Sequence, residues 1–158
     1  MVSTGHVVLR EQGVKLQRLE WIGRRLARSL RPGDLVLLYG PLGAGKTTLV
    51  RAIALALRVT DPVRSPSFTI ANIYQGPVIV QHLDLYRLQE IGDDDALALE
   101  EYLREDAVTI VEWPQAGVGR LGPATWTVRL GHESLHERSV EIEAATSDAR
   151  RRWEETQR

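Results

Sequence analysis

Residues 35–47 read LVLLYGPLGAGKT, Leu35 through Thr47, and the reading of this stretch decides the fold. Leu35 to Tyr39 is an unbroken apolar run, the pattern of a strand buried on both faces of a sheet. Gly40 to Thr47 then fits G-x-x-x-x-G-K-[ST]. After it, Leu49, Val50, Ile53 and Leu57 recur on one helical face. Strand, glycine loop and helix in that order make a phosphate cradle. The glycines let successive backbone N–H groups turn inward, and the helix N-terminus adds its partial positive charge. Gly40, Pro41, Leu42, Gly43, Ala44, Gly45, Lys46, Thr47 and Thr48 are therefore expected to bind a nucleotide, with Lys46 on the phosphates and the Thr47 hydroxyl on Mg²⁺.

Outward from the loop, the chain reads as one α/β domain. HVVLRE near the start suits a short edge strand, and Leu16, Leu19, Ile22, Leu26 and Leu30 give an amphipathic helix that RPGD (31–34) ends. FTIANIYQ and VIVQHLDL read as strands joined at Gly76-Pro77, too short a link for anything but antiparallel pairing. Asp93 to Asp95 suit a helix N-terminus, with Ala96, Leu99, Tyr102 and Leu103 on its apolar side. AVTIVEW is another buried strand, and TWTVRL and RSVEIEA alternate as late antiparallel strands. The expected fold is a single P-loop NTPase domain over residues 1–144. Its sheet is mixed, with a parallel centre, antiparallel edges and helices on both faces. Residues 145–158 are expected to be a charged, frayed or disordered tail.

Two strand ends carry acids. Asp84 closes VIVQHLD and is the expected second magnesium-side residue. Glu112 closes AVTIVE, at the end of a strand that opens on the crevice where open α/β sheets bind ligands. It is placed to orient or deprotonate an attacking water, and it is also a possible metal ligand. His82 shares a strand face with Asp84 and is read as structural, because nothing in sequence pairs with it. Trp113 beside Glu112 is read as packing or a cap. Ser65 and Ser67 in SPSF lie in a polar loop where a hydroxyl can sense a γ-phosphate, or simply make a local turn.

Taken in order, PGDLVLLYGPLGAGKTTLVRAIA, VRSPSFTIANIY, HLDLYRL and EEYL…VTIVEWP resemble the TsaE family over about residues 10–143. The resemblance implies a bacterial ATPase needed for threonylcarbamoyladenosine formation at tRNA position 37. It implies ATP and Mg²⁺ as cofactors and the TsaB–TsaD heterodimer as partner. TsaD transfers the threonylcarbamoyl group, the nucleotide cycle resets the complex, and tRNA is met at most indirectly. It assigns Lys46 and Thr47 to phosphate and magnesium, Asp84 to the magnesium side, Glu112 to hydrolysis, and the SPSF serines with Trp113 to a switch. Three positions depart from the pattern: Pro41 removes an N–H from the loop, Ser67 replaces a threonine, and Leu19 stands where a threonine holds the adenine end.

The bulk of the chain agrees with this and excludes other classes. Its 158 residues carry a net charge of -1, against a self-sufficient nucleic-acid binder. There is no cysteine, so disulfides and thiolate metal sites are excluded. The start of the chain lacks the pattern of a secretory signal, and no apolar run approaches the ~20 residues of a membrane helix, so a soluble, cytoplasmic protein is expected. Arg24, Arg25, Arg28 and Arg31 are read as a solvated helix face. A small-molecule kinase is the alternative. It fits less well, because a strand and a helix precede the loop, and QAGVGRLGP, where a lid would lie, holds only Arg120.

Overall fold

The computed structural model describes residues 5–66, 71–86 and 99–157. Its elements are β1 (His6–Val14), α1 (Leu16–Ser29), β2 (Leu35–Tyr39), α2 (Lys46–Ala56), β3 (Ala71–Tyr74), β4 (Ile79–Asp84), β5 (Ala107–Glu112), β6 (Trp126–His132), β7 (Arg138–Ala144) and α3 (Ser147–Glu155). Short helical turns fall at Leu99–Tyr102, Pro114–Ala116 and Val118–Leu121. Ser67 and Phe68, the acidic turn Asp93 to Asp95, and Ala96 lie outside the described residues.

The seven strands form one sheet in the order β1-β7-β6-β2-β5-β4-β3. β2 is parallel to both β5 and β6, and β5 is parallel to β4. β3 runs antiparallel to β4, β6 to β7, and β7 to β1. The expected parallel centre and antiparallel edges are both present. β6, expected only as an antiparallel strand, is also an interior strand on the β2 side.

Alternation along β2 divides the core. Val36 and Leu38 face the cluster holding Leu19, Ile22, Leu26, Leu49 and Ile53 of α1 and α2. Leu35 and Leu37 face the opposite cluster, with Leu83, Leu85, Leu99, Val111 and Leu121. Helical residues therefore cover both faces, the long helices on one and short turns on the other. The apolar stripe of α1 is one residue shorter than expected, since Leu16 is 59% exposed.

Two expectations for charged residues are corrected. The tail is not frayed. Thr146 caps α3, its hydroxyl accepting from the Ala149 N–H at 3.0 Å, and Ala149 and Trp153 lie in the main core. Arg25 does not belong to a solvated face. It is buried, its guanidinium 4.0 Å from the Trp153 ring centre, and its Nε donates to Thr156 Oγ1 at 2.9 Å. Arg24, Arg28 and Arg31 are exposed, as expected.

Asp34, which the sequence shows only as the end of a helix-breaking turn, ties these pieces together. Its carboxylate accepts from the Arg31 N–H at 3.0 Å, Trp126 Nε1 at 3.3 Å and Arg152 Nη1 at 2.8 Å. Arg152 also donates to the Ser29 carbonyl at 2.7 Å, so one ion pair joins α3, the end of α1 and the start of β2. Both partners of the pair are under a tenth exposed. Burial opposes the Arg152 charge, but Asp34 and Asp148 outweigh it and hold its pKa above the ordinary value. Removing one partner of such a pair strands the other charge. Arg152→Ala is expected to lower unfolding stability by about 3–5 kcal/mol in urea titration. Arg150→Ala, which removes an exposed pair with Glu154, should change it by less than about 1 kcal/mol. Equal small losses in the two variants would contradict this role for the C-terminal helix.

Candidate functional site

The glycine loop runs from the end of β2 into α2 because its backbone enters conformations that side chains resist. Gly43 has φ +75° and Gly45 φ +101°, and a Cβ at Gly40 would meet the Leu130 carbonyl at 3.0 Å. α2 begins at Lys46 with Gly45 as its left-handed N-cap. The first-turn N–H groups of a helix have no acceptor within it, so this end of α2 is a donor-rich, partly positive place.

The strand ladders bring the acids to the same end. Register pairs Leu38 with Glu112 across β2 and β5, and Glu112 with Asp84 across β5 and β4. His82, Asp84, Ile110 and Glu112 alternate onto the side of the sheet that carries α2. Thr47 Oγ1 donates to Glu112 Oε1 at 3.4 Å, and His82 Nε2 lies 2.5 Å from Glu112 Oε2. Lys46 is 5% exposed. Its ammonium donates to the carbonyls of Gly40 and Pro41, the latter at 3.0 Å, and sits 4.1 Å from the Trp113 ring centre. The Trp113 backbone is left-handed at φ 53°, which turns the ring towards the loop, and Tyr86 packs 5.0 Å from it.

A cleft of about 280 Å³ is lined by Leu42, Gly43, Gly45, Lys46, Thr47, Thr48, Ser65, Asp84, Glu112 and Trp113. Nearly every residue singled out in sequence meets here. Gly40, Pro41 and Ala44 do not line the cleft, and Ser67 lies outside the described residues. Burial pulls the Lys46 pKa down, against the opposing charges of Glu112 and Asp84. Burial pushes the Asp84 pKa up and the Glu112 charge adds to this, while the Tyr86 N–H, donating at 3.0 Å, works the other way. The cleft thus concentrates poorly solvated charge of both signs, an arrangement that favours a ligand carrying both an anion and a cation. Among the described residues no group of three His, Asp or Glu side chains is placed to hold a metal ion.

Sequence reasoning missed the brace behind the loop. Arg138, at the start of β7, donates to the carbonyls of Ala44 at 3.2 Å and Gly43 at 3.1 Å. His132, at the end of β6, contacts the Leu42 carbonyl at 3.0 Å. Holding these carbonyls outward frees the N–H side of the loop to face the cleft. No local pattern in GHESLHERS marks either residue. Hydrogen bonds to charged donors are worth about 1.5–3 kcal/mol, so Arg138→Ala should speed amide exchange at Gly43 to Gly45 by roughly tenfold or more, with the β2 amides unchanged. Unaltered exchange in the loop would contradict the brace.

Residues 14–142 match the family model described as "Threonylcarbamoyl adenosine biosynthesis protein TsaE". The tRNA threonylcarbamoyladenosine biosynthesis protein TsaE of Mycobacterium bovis is 40% identical over 119 residues, covering 69% of this chain and 70% of its own. That of Streptomyces coelicolor is 47% identical over 105 residues, 63% of this chain and 70% of its own. The crystal structure of Bacillus subtilis YdiB superposes with a TM-score of 0.79 at 27% identity, over 98% of this chain and 96% of that one. On its matched span and its identity to these relatives, the chain belongs to the TsaE family.

Proposed function

We propose that this protein binds ATP with Mg²⁺ at the glycine loop, hydrolyses it through Glu112, and by doing so serves threonylcarbamoyladenosine formation on tRNA. One observation carries the chemical part. Asp84 and Glu112 end adjacent parallel strands beside the first turn of α2, with Glu112 Oε1 3.4 Å from the Thr47 hydroxyl. Family membership supports the biosynthetic part.

The residues divide the work. The N–H groups of Gly43 and of Gly45 to Thr48 bind phosphate oxygens, and Lys46 gives a compact charge to the same group. The buried ammonium already leans on two carbonyls and an aromatic face, so a phosphate replaces weak partners with a strong one. Hydroxyl and carboxylate oxygens are the donor set a hard cation prefers, so Thr47 and Asp84 are the residues to hold Mg²⁺, with Glu112 alongside. When bound, Mg²⁺ neutralises charge on the phosphate oxygens during transfer. Glu112 orients a water and accepts its proton. Ser65, in the cleft wall, is the hydroxyl available to sense the terminal phosphate, and Trp113 covers the lysine.

The reading extends to partners. TsaD is the transferase, the TsaB–TsaD pair receives the nucleotide-driven reset, and tRNA reaches this chain at most through that complex. A cytoplasmic location follows from those substrates. No helix among the described residues is long and apolar enough to cross a membrane.

Two variants test the site. Lys46→Ala should weaken ATP binding by roughly tenfold to a hundredfold, the worth of a hydrogen bond to a charged group; unchanged affinity would contradict the cradle. Glu112→Gln should bind ATP as the parent does and lose hydrolysis by about a hundredfold or more. Hydrolysis at the parent rate would remove Glu112 from the chemistry.

A further inference from the structure

The sequence near His82 offers no partner for its imidazole. The fold supplies the pair. β4 and β5 place His82 opposite Ile110, one step diagonal from Glu112, and the imidazole reaches across to Glu112 Oε2 at 2.5 Å. The ring is fully buried and Glu112 nearly so. Tyr74 packs beside the ring at 6.3 Å, and Tyr74 is itself pinned by its hydroxyl, which donates to the Arg64 carbonyl at 3.0 Å. The imidazole is therefore held from behind while its Nε2 points at the acid.

Its other nitrogen, Nδ1, is buried and has no hydrogen-bond partner among the described residues. That asymmetry selects the proton position. With the proton on Nε2, the unpartnered atom is a bare acceptor. With the proton on Nδ1, a buried N–H donor is stranded. Nε2–H therefore donates to Glu112 Oε2, and Glu112 keeps its other oxygen, Oε1, towards Thr47. Without that anchor the flexible carboxylate has a competing partner in Lys46, which lines the same cleft and whose pKa its charge raises. An ion pair between the two would occupy both the lysine that phosphate needs and the acid that water needs.

We infer that His82 is a positioning residue for hydrolysis. It holds Glu112 by one oxygen, so that the carboxylate faces the reacting end of the nucleotide and stays off Lys46. The inference rests on the reading of Glu112 given under Proposed function. It predicts that geometry, and not ATP binding, suffers when the anchor is lost.

The test is ATP turnover and ATP affinity of the full chain in four variants. His82→Ala should lower kcat by roughly tenfold to a hundredfold, as misplacing a reacting group does, while its Kd for ATP stays within about twofold. His82→Gln, whose amide N–H₂ can reach the same oxygen, should recover most of the rate; His82→Asn, one methylene shorter, should not. A folded His82→Ala at the parent rate, a loss confined to affinity, or equal rates for the Gln and Asn variants would each overturn the inference. If His82→Ala does not fold, the Gln and Asn pair decides by the same criterion. Glu112→Gln separates the two levels. If it hydrolyses as the parent does, the reading of Glu112 fails and this inference with it. If it is inactive while His82→Ala is not, only the inference fails. Independently of activity, ¹⁵N NMR of labelled histidine should show the His82 Nε2 carrying the proton shared with Glu112; the Nδ1–H form would overturn the assignment.

Discussion

Glu112 is the last residue of β5, and the ladders on either side of it fix what it can touch. Its register with Leu38 of β2 sets it beside the exit into the glycine loop, and its register with Asp84 of β4 sets a second carboxylate next to it. In parallel strands a shift of one residue turns every side chain to the opposite face. The apolar residues Val36, Leu38, Val80, Val108 and Ile110, all in one core, make such a slip costly. The hydrophobic core thus holds the site: what keeps Ile110 under α2 also keeps Glu112 beside Thr47. The two acids are presented at the strand ends, where a sheet of this kind leaves a crevice.

The cleft is electrostatically tense, and its own residues manage that tension. Lys46 is nearly buried yet has two acids close by, and it makes no ion pair with either. Backbone carbonyls and the Trp113 face hold it instead. Glu112 is occupied by His82 and Thr47, and Asp84 by the Tyr86 N–H. Opposite charges are thus kept apart, each held by other partners. That separation is what a nucleotide and its cation would use, since each brings the counter-charge that one set of residues lacks. The loop is braced from behind by Arg138 and His132, which belong to a hairpin outside the parallel core.

The parts legible in sequence were those whose signals are local. LVLLY followed by GPLGAGKT announces strand, loop and helix within thirteen residues, because the backbone conformation of Gly43 and Gly45 demands glycine there. Asp84 and Glu112 stood out because apolar runs end in acids. What stayed hidden was settled by contacts between distant segments. His82 meets Glu112 thirty positions on, and Arg138 reaches back ninety-four positions to Ala44. The tail misled because DARRRWEE is mostly charged, and a helix is expected to bury apolar residues. Here Arg152 is buried by pairing with Asp34, and only Ala149 and Trp153 supply apolar contact. Thr146 followed by Ser147 and Asp148 is nonetheless a sound helix start. Arg25 was misjudged for a similar reason, since stacking on Trp153 from the far end of the chain leaves no trace in the helix's own periodicity.

The central claim joins a nucleotide cleft to a tRNA-modifying complex, and turnover measured with and without that complex tests it most directly. The purified chain should hydrolyse ATP slowly by itself and faster with the TsaB–TsaD pair of the same organism, and Glu112→Gln should abolish the gain. Turnover that the pair leaves unchanged would separate the cleft from the proposed role, and stimulation that survives Glu112→Gln would place the chemistry elsewhere.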